Sequence, residues 1–372
     1  MKVLYDHQIF NFARIGGVAR YFTELLRYNP LAELSLKYSD TIYLQDQCFS
    51  KYKILPENHV YDTFLPGFNF KGKGFLRRSY SKLFKKNNLA LSIHSLKKNK
   101  FDIFHPTYYE PYFLQHLKGK PFVLTVHDMI HELFPHFFLD DKDTIPYKSL
   151  LIPQADIIIA VSENTKKDIL QFFPELKTEK IRVVYHGSSF QQINDSVKKE
   201  RFILFTGGRA LHKNFTAFAE AIAPLLAKHN FHLLCAGHPF THEEKLLLEN
   251  LNIADRAVCN YVSDKKLVEL YSKATVFVFP SLYEGFGIPI LEAFACNCPA
   301  ILSNTSSLPE IGGNAAVYFD PNSIEDMRHQ IERVLISPSL QEEMMQKGKE
   351  RFKLFSWKKC SEETMKVYKE LL

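Results

Sequence analysis

Two glutamates eight residues apart enclose the densest chemical signal in the chain, Tyr283-Glu284-Gly285-Phe286-Gly287-Ile288-Pro289-Ile290-Leu291-Glu292-Ala293. The segment follows an apolar run ending at Pro280. Gly285 and Gly287 allow a tight loop with outward-pointing backbone N–H groups. Pro289 suits the first turn of a helix, where no N–H is needed. Strand, glycine loop and helix N-terminus in that order make an anion site suited to phosphate. Glu284 in the loop and Glu292 in the helix can face one ligand, and carboxylates accept hydrogen bonds from sugar hydroxyls. Taken alone, the same residues also describe a glycine turn with one solvated and one dipole-facing glutamate.

Three further segments carry chemistry. Gly207-Gly208-Arg209-Ala210-Leu211-His212-Lys213-Asn214 follows an apolar run from Phe202. Arg209 and Lys213 are placed to neutralise a diphosphate, one as a planar fork and one as a point charge, or else are two solvated cations. Ile15-Gly16-Gly17-Val18-Ala19-Arg20 is a glycine turn opening a helix. It is neither a dinucleotide fingerprint nor a P-loop, which argues against a dehydrogenase and a P-loop ATPase. Val126-His127-Asp128-Met129-Ile130-His131 ends an apolar strand and is expected to line a cleft. His127 and His131 have metal-ligand spacing, but no third ligand is suggested nearby, so no metal is expected. His105 and His186, also at strand ends, read as structural.

These segments need a scaffold, and the apolar pattern supplies one. Short, nearly continuous apolar runs recur at Val3–Tyr5, Phe101–Phe104, Phe122–Val126, Asp156–Val161, Ile181–Tyr185, Phe202–Phe205, Phe231–Cys235, Ala257–Cys259, Val276–Phe279 and Ala300–Leu302. Such runs fit parallel strands covered on both faces. Helical patterns lie between them at Val18–Leu26, Glu163–Phe172, Phe215–Lys228 and Asp264–Lys273, with Ser162 and Ser263 as N-caps. The fold class expected is α/β, two Rossmann-like doubly wound domains facing across a cleft. The first domain is placed at 1–187, a linker at 188–200, the second domain at 201–355, and a C-terminal helix at 356–372 that packs back on the first domain.

The 372 residues carry a net charge of +6, and the excess is local. Residues 71–100 hold ten Lys and Arg and no Asp or Glu; without them 37 basic face 41 acidic residues. Leu76, Tyr80, Leu83 and Phe84 follow helical spacing among those cations, as in a basic amphipathic helix at an anionic membrane surface or a solvated surface helix. One patch on an otherwise acidic chain argues against a nucleic-acid-binding protein. The six cysteines form no C-x-x-C pair and read as free thiols in a reducing compartment. Met1-Lys2-Val3-Leu4-Tyr5-Asp6 enters a strand directly, and no run of about 18 apolar residues occurs, so a cytoplasmic protein is expected, peripheral at most on the inner face of the membrane.

Taken in order, Gly16-Gly17, His127-Asp128, Val161-Ser162, His186-Gly187, Gly208-Arg209 with Lys213-Asn214, and Glu284-Gly285-Phe286-Gly287 with Glu292-Ala293 resemble the retaining nucleotide-sugar glycosyltransferases of family 4, of the GT-B fold. The resemblance implies that Arg209 and Lys213 grip the donor diphosphate and that Glu292 holds the donor ribose. Glu284 would stand beside the donor sugar, with Gly285, Phe286, Gly287 and Ile288 supplying backbone contacts. Gly16 and Gly17 would let the first-domain backbone approach the phosphates. His127 would sit near the sugar, and Tyr261 and Val262 in the segment that holds the base. It further implies retention of anomeric configuration, no cofactor beyond the nucleotide-sugar co-substrate, and a glycan or lipid-linked acceptor. Ala210-Leu211-His212 departs from the family, which often has Pro or Glu before the Lys. His127-Asp128-Met129-Ile130-His131-Glu132 with Phe134-Pro135 looks more like bacterial polysaccharide mannosyltransferases, which points to GDP-mannose. A UDP-sugar donor, a sugar-nucleotide epimerase and, less so, a phosphorylase are the rival readings.

Overall fold

The structure is a computed structural model that describes residues 1–56, 73–193, 197–209 and 211–372, the side chains of 73–80 excepted. In the first half two three-stranded parallel sheets lie in line. One has the order β2-β1-β3, from β1 (Val3–Tyr5), β2 (Ala32–Leu34) and β3 (Ile103–His105). The other has the order β4-β5-β6, from β4 (Val123–Val126), β5 (Ile157–Ala160) and β6 (Ile181–Val183). A single parallel bridge, Phe104 to Phe122, joins them. The second half is one six-stranded parallel sheet built from β7 (Glu200–Thr206), β8 (His232–Ala236), β9 (Ala257–Asn260), β10 (Ala274–Phe279), β11 (Ala300–Ser303) and β12 (Ala316–Phe319). Its order is β12-β11-β10-β7-β8-β9, so the direction of winding reverses between β7 and β10. Ligands of such sheets bind at the carboxyl ends of the strands where the order reverses. The two glycine-bearing loops, 207–214 and 280–287, leave β7 and β10 there.

The helices that matter for the site are α1 (Gly17–Tyr28), α2 (Lys73–Lys98), α3 (Glu163–Phe172), α4 (Phe215–Lys228), α5 (His242–Asn250), α6 (Asp264–Lys273), α7 (Ile288–Ala295) and α8 (Trp357–Lys369). Ser162 and Ser263 cap α3 and α6 as expected, accepting from the N–H of Thr165 and Lys266. The central strands β5, β10 and β11 are buried along their whole length because helices cover both faces.

The chain leaves the first sheet at Gly187 and returns at Ser356, and the two crossings touch. A Cβ on Gly187 would fall 2.1 Å from the Trp357 N, so only glycine lets the strands of chain pass. Beyond this point α8 packs on α1, burying Trp357, Cys360, Val367 and Tyr368 in the core that holds Tyr5 and Tyr21. A buried hydrogen-bonded chain secures it. Tyr368 Oη lies 2.7 Å from Tyr5 Oη and 2.6 Å from His105 Nδ1; His105 Nε2 lies 2.9 Å from Thr125 Oγ1, which is 3.0 Å from Tyr21 Oη. Each buried polar atom has a partner, which offsets the cost of removing it from water.

The basic helix needs a correction. Phe84 does not belong to an outward apolar face: it is buried against Tyr38, with ring centroids 4.5 Å apart. Asn88, Ser92 and Leu96 continue the same buried stripe, and Asn88 donates to Tyr38 O and Asn11 Oδ1. Lys82, Leu83, Lys85 and Lys86 are exposed. Lys71 and the side chains of Leu76 and Tyr80 lie outside the described residues.

Candidate active site

The loop from β10 to α7 is held through its carbonyls and through the N–H groups of Leu282 and Glu284, which donate to His212 O and Ser306 Oγ, and its glycine-rich part keeps free amides. Ser307 Oγ donates to the carbonyls of Glu284 (2.9 Å) and Phe286 (3.0 Å). From the first half, Ser162 Oγ donates to Gly285 O at 2.7 Å and Thr165 Oγ1 at 3.2 Å. Among the described residues nothing accepts from the N–H of Gly285, Phe286 or Gly287. Gly287 caps α7 at φ +98° without a side-chain cap, and a Cβ there would press on Ile290 and Leu308. The N–H groups of Gly285, Phe286 and Gly287, at the mouth of α7, are thereby available to an anion, whereas Pro289 has none and that of Ile290 is bonded to Gly287 O. Phe286 itself is buried, with its ring 4.9 Å from that of His186.

Lys213 reaches this loop. Its Nζ donates to Glu284 Oε1 at 2.5 Å and lies over the Phe279 ring at 5.6 Å. Ser281 Oγ donates to the same carboxylate oxygen at 2.6 Å. Arg209 does not join Lys213, contrary to the expectation that the two form one phosphate clamp. Its guanidinium is buried and turned to the ends of β8 and β9. Nε donates to Glu244 Oε1 at 2.8 Å, and Nη2 to the carbonyls of His238 and Pro239 at 2.7 and 3.0 Å. Phe240 lies under it at 4.9 Å. Those bonds tie three segments around Gly237, where a Cβ would meet Gly207 O at 2.5 Å. Arg209 shapes the glycine loop from behind.

The opposite wall comes from the first half. Gly16 (φ +156°, ψ 157°) adopts a backbone conformation reserved for glycine and caps α1, and Gly17 faces α7, a Cβ on it lying 3.5 Å from Ile288 Cδ1. The N-termini of α1 and α7 thus meet across the cleft. His127 ends β4 with its ring edge-on to Tyr21 at 5.2 Å and its Nε2 buried without a partner. Burial lowers its pKa to about 4, so it is neutral at physiological pH. Its carbonyl is the floor under Gly285. His131 instead pairs with Asp141, Nε2 to Oδ2 at 3.2 Å, so the two histidines do not form a metal pair. Among the described residues no group of three or more potential ligands is assembled.

Glu292, one turn into α7, is sheltered beside Tyr271, whose hydroxyl donates to it at 3.3 Å. Burial pushes its carboxyl up to about 7. Tyr261 is exposed with its ring 5.6 Å from His238, and Val262 is half-buried next to it. The site therefore brings together Gly16, Gly17, His127, Lys213, Glu284, Gly285, Phe286, Gly287, Ile288 and Glu292. Sequence reasoning missed the serines that hold the loop, Ser281, Ser307 and Ser306, the last accepting from the Glu284 N–H at 3.0 Å, because their partners are set by the turn and not by spacing.

Two family models match this chain: "Glycosyltransferase Family 4" over residues 53–191 and "Glycosyl transferases group 1" over residues 188–351. The chain belongs to these glycosyltransferases. It is 29% identical over 298 residues to an O-antigen chain mannosyltransferase B of Escherichia coli, covering 74% of this chain and 76% of the relative. It is 27% identical over 212 residues to the O-antigen chain mannosyltransferase RfbU of Salmonella typhimurium, covering 57% and 60%. The fold is that of a sucrose-phosphate synthase from Thermosynechococcus elongatus, with a TM-score of 0.72 at 18% identity over 99% of this chain and 98% of the other. Both halves are Rossmann-like, as in the GT-B glycosyltransferases.

The raised carboxyl pKa of Glu292 has a measurable consequence wherever ligand hydroxyls meet that carboxylate. An acid whose pKa is raised by folding opposes the folded state as it ionises, so this group removes stability between pH 4.5 and about 7. Sugar hydroxyls donate best to the ionised form, so a bound nucleotide recovers that loss. Nucleoside diphosphate affinity is expected to fall about tenfold per pH unit below 7 from this group alone. Calorimetric titration from pH 5.5 to 8 checks it: in Glu292→Gln the contribution should vanish, and an unchanged profile would remove Glu292 from the donor site.

Proposed function

We propose that this glycosyltransferase moves mannose from GDP-mannose to a glycan or lipid-linked acceptor, with retention of configuration and without a metal ion. The observation that carries the reading is the meeting of the α1 and α7 N-termini beside Lys213, which offers a diphosphate several N–H donors and one full charge. That set can take the role of a divalent cation on the departing nucleotide. The mannosyltransferase relatives support the donor sugar.

In the reaction the bond from the anomeric carbon to the diphosphate oxygen breaks, and the acceptor oxygen bonds to that carbon. Glu284 already accepts from Lys213 and Ser281 through one oxygen, which makes it a poor nucleophile for a covalent intermediate. This favours attack on the face from which the diphosphate leaves, the diphosphate oxygen taking the acceptor proton. Neutral His127, with its free Nε2, is suited to a sugar hydroxyl. The exposed cations of α2 suit an anionic lipid surface near the acceptor; vesicles containing anionic lipid should float the protein at low salt, and absence of flotation would discard that contact.

A thermal-shift panel of GDP, UDP, ADP and dTDP with and without EDTA tests the reading. GDP alone should stabilise, by about 2.7 kcal/mol at 100 times its dissociation constant, and EDTA should change nothing. Stabilisation by UDP alone would replace the donor, dependence on a divalent ion would overturn the metal-free step, and no shift at all would overturn the site.

A further inference from the structure

With Arg209 turned away, another arginine lines the cleft from the other half of the molecule. Arg20 lies one turn along α1 from Gly17, as Glu292 lies one turn along α7 from Ile288. Gly17 faces Ile288, a Cβ on it lying 3.5 Å from Ile288 Cδ1, so Arg20 and Glu292 each lie one turn in from the point where the two helix N-termini meet. The guanidinium contributes to the charge environment of Glu292, favouring its ionised form.

Arg20 is presently engaged by groups that a ligand could replace. Its Nη2 donates to Asp264 Oδ2 at 2.7 Å. Asp264 opens α6 two residues after Val262 and is 59% exposed on its side chain, whereas that of Arg20 is 19% exposed. An ion pair with so exposed an acid contributes little to stability. The guanidinium also lies over the Tyr43 ring at 4.2 Å, and the hydroxyl of Tyr43 accepts from the N–H of Gly16 at 3.3 Å. Tyr43 therefore aligns the arginine with the glycine turn. Arg20, Asp264 and Lys265 line a cavity of about 440 Å³ with the linker residues 189–193. An arginine has five N–H donors in a fork that matches phosphate oxygens.

We infer that Arg20 is a donor-binding residue supplied by the first half: on arrival of a nucleoside diphosphate it exchanges Asp264 for the phosphate attached to the ribose. The inference rests on the donor reading above, in which Glu292 holds that ribose. It makes nucleotide binding and apposition of the two halves one linked event, because the phosphate is then held from α1 and α7 together.

Two substitutions separate this role from a mere latch between halves. Arg20→Gln should weaken GDP by ten- to a hundredfold in calorimetric titration and leave guanosine, which has no phosphate, within twofold. Asp264→Asn should tighten GDP severalfold, since it removes the competitor. A latch would make the two variants behave alike, with guanosine and GDP changed together, and that result would overturn the inference, as would equal GDP binding by Arg20→Gln and the unsubstituted protein. If the unsubstituted protein binds neither GDP nor UDP, the donor reading itself fails and this role falls with it.

Discussion

Gly285→Ala is expected to lower kcat/KM by a hundredfold or more, about 2.7 kcal/mol in the activation barrier, a larger loss than the weakening of GDP that goes with it. The added methyl would fall 1.8 Å from His127 O, 2.9 Å from its carbonyl carbon and 3.0 Å from Asp128 Cβ. Two of these are backbone atoms, and no rotamer change moves them. β4 is paired residue by residue with β5, so the end of that strand cannot yield locally. The remaining relief is to move the halves apart. That would break the Ser162 and Thr165 bonds to Gly285 O, and the 2.6 Å bond from Tyr283 Oη to Asp168 Oδ2. Lys213, Tyr261 and Glu292 all belong to the second half and should still hold GDP, more weakly once the α1 N-terminus and Arg20 move off its phosphates, while His127 would no longer meet the donor sugar. Steady-state kinetics beside a GDP titration measures the split. Ordinary turnover by Gly285→Ala would mean that the halves react in a different apposition from the one described here.

The fold was legible because each half buries its strands on both faces, which writes apolar runs such as Asp156–Val161 and Val276–Phe279 directly into the sequence. Strands β2 and β12 escaped notice: each is short, three residues in Ala32–Leu34 and four in Ala316–Phe319. Phe84 of α2 turns inward, on a stripe hidden in the sequence because two of its positions, Asn88 and Ser92, are polar and are satisfied by partners on distant segments, Tyr38 O and Ser35 O among them. Arg209 was misplaced for a related reason. A strand-end arginine after two glycines is placed to face the cleft, and what turns it away is Glu244, far along the chain at the start of α5. Glu284 to Glu292 could be read because its parts are local: a glycine at φ +98°, a helix N-terminus and two carboxylates in one short segment. Arg20 was in view within the Gly16–Arg20 segment, but its link to Asp264 spans the two halves and has no signature in either.

Lys213→Ala should cost kcat a factor of about 10² to 10³, the range found when one preorganised donor to a developing negative charge is removed. Among the described residues, Lys213 is the cation paired with Glu284 at the glycine loop, and its packing over Phe279 fixes where that charge sits. The departing diphosphate gains charge as the anomeric bond breaks, so the loss should appear in kcat more than in KM. Glu284→Gln keeps the shape and an acceptor for Ser281 while removing the carboxylate charge, and should cost about ten- to a hundredfold by the same comparison. Because the two groups share one short contact, their effects should not multiply: the double variant should be faster than the product of the singles predicts. The double-mutant cycle distinguishes two uses of the pair. Strong coupling would mean that Glu284 acts in part by placing Lys213, with the ion pair working as a unit on the leaving group. Full independence would mean that Glu284 contacts the sugar and Lys213 the diphosphate separately, and near-full activity in Lys213→Ala would remove this lysine from the chemistry altogether.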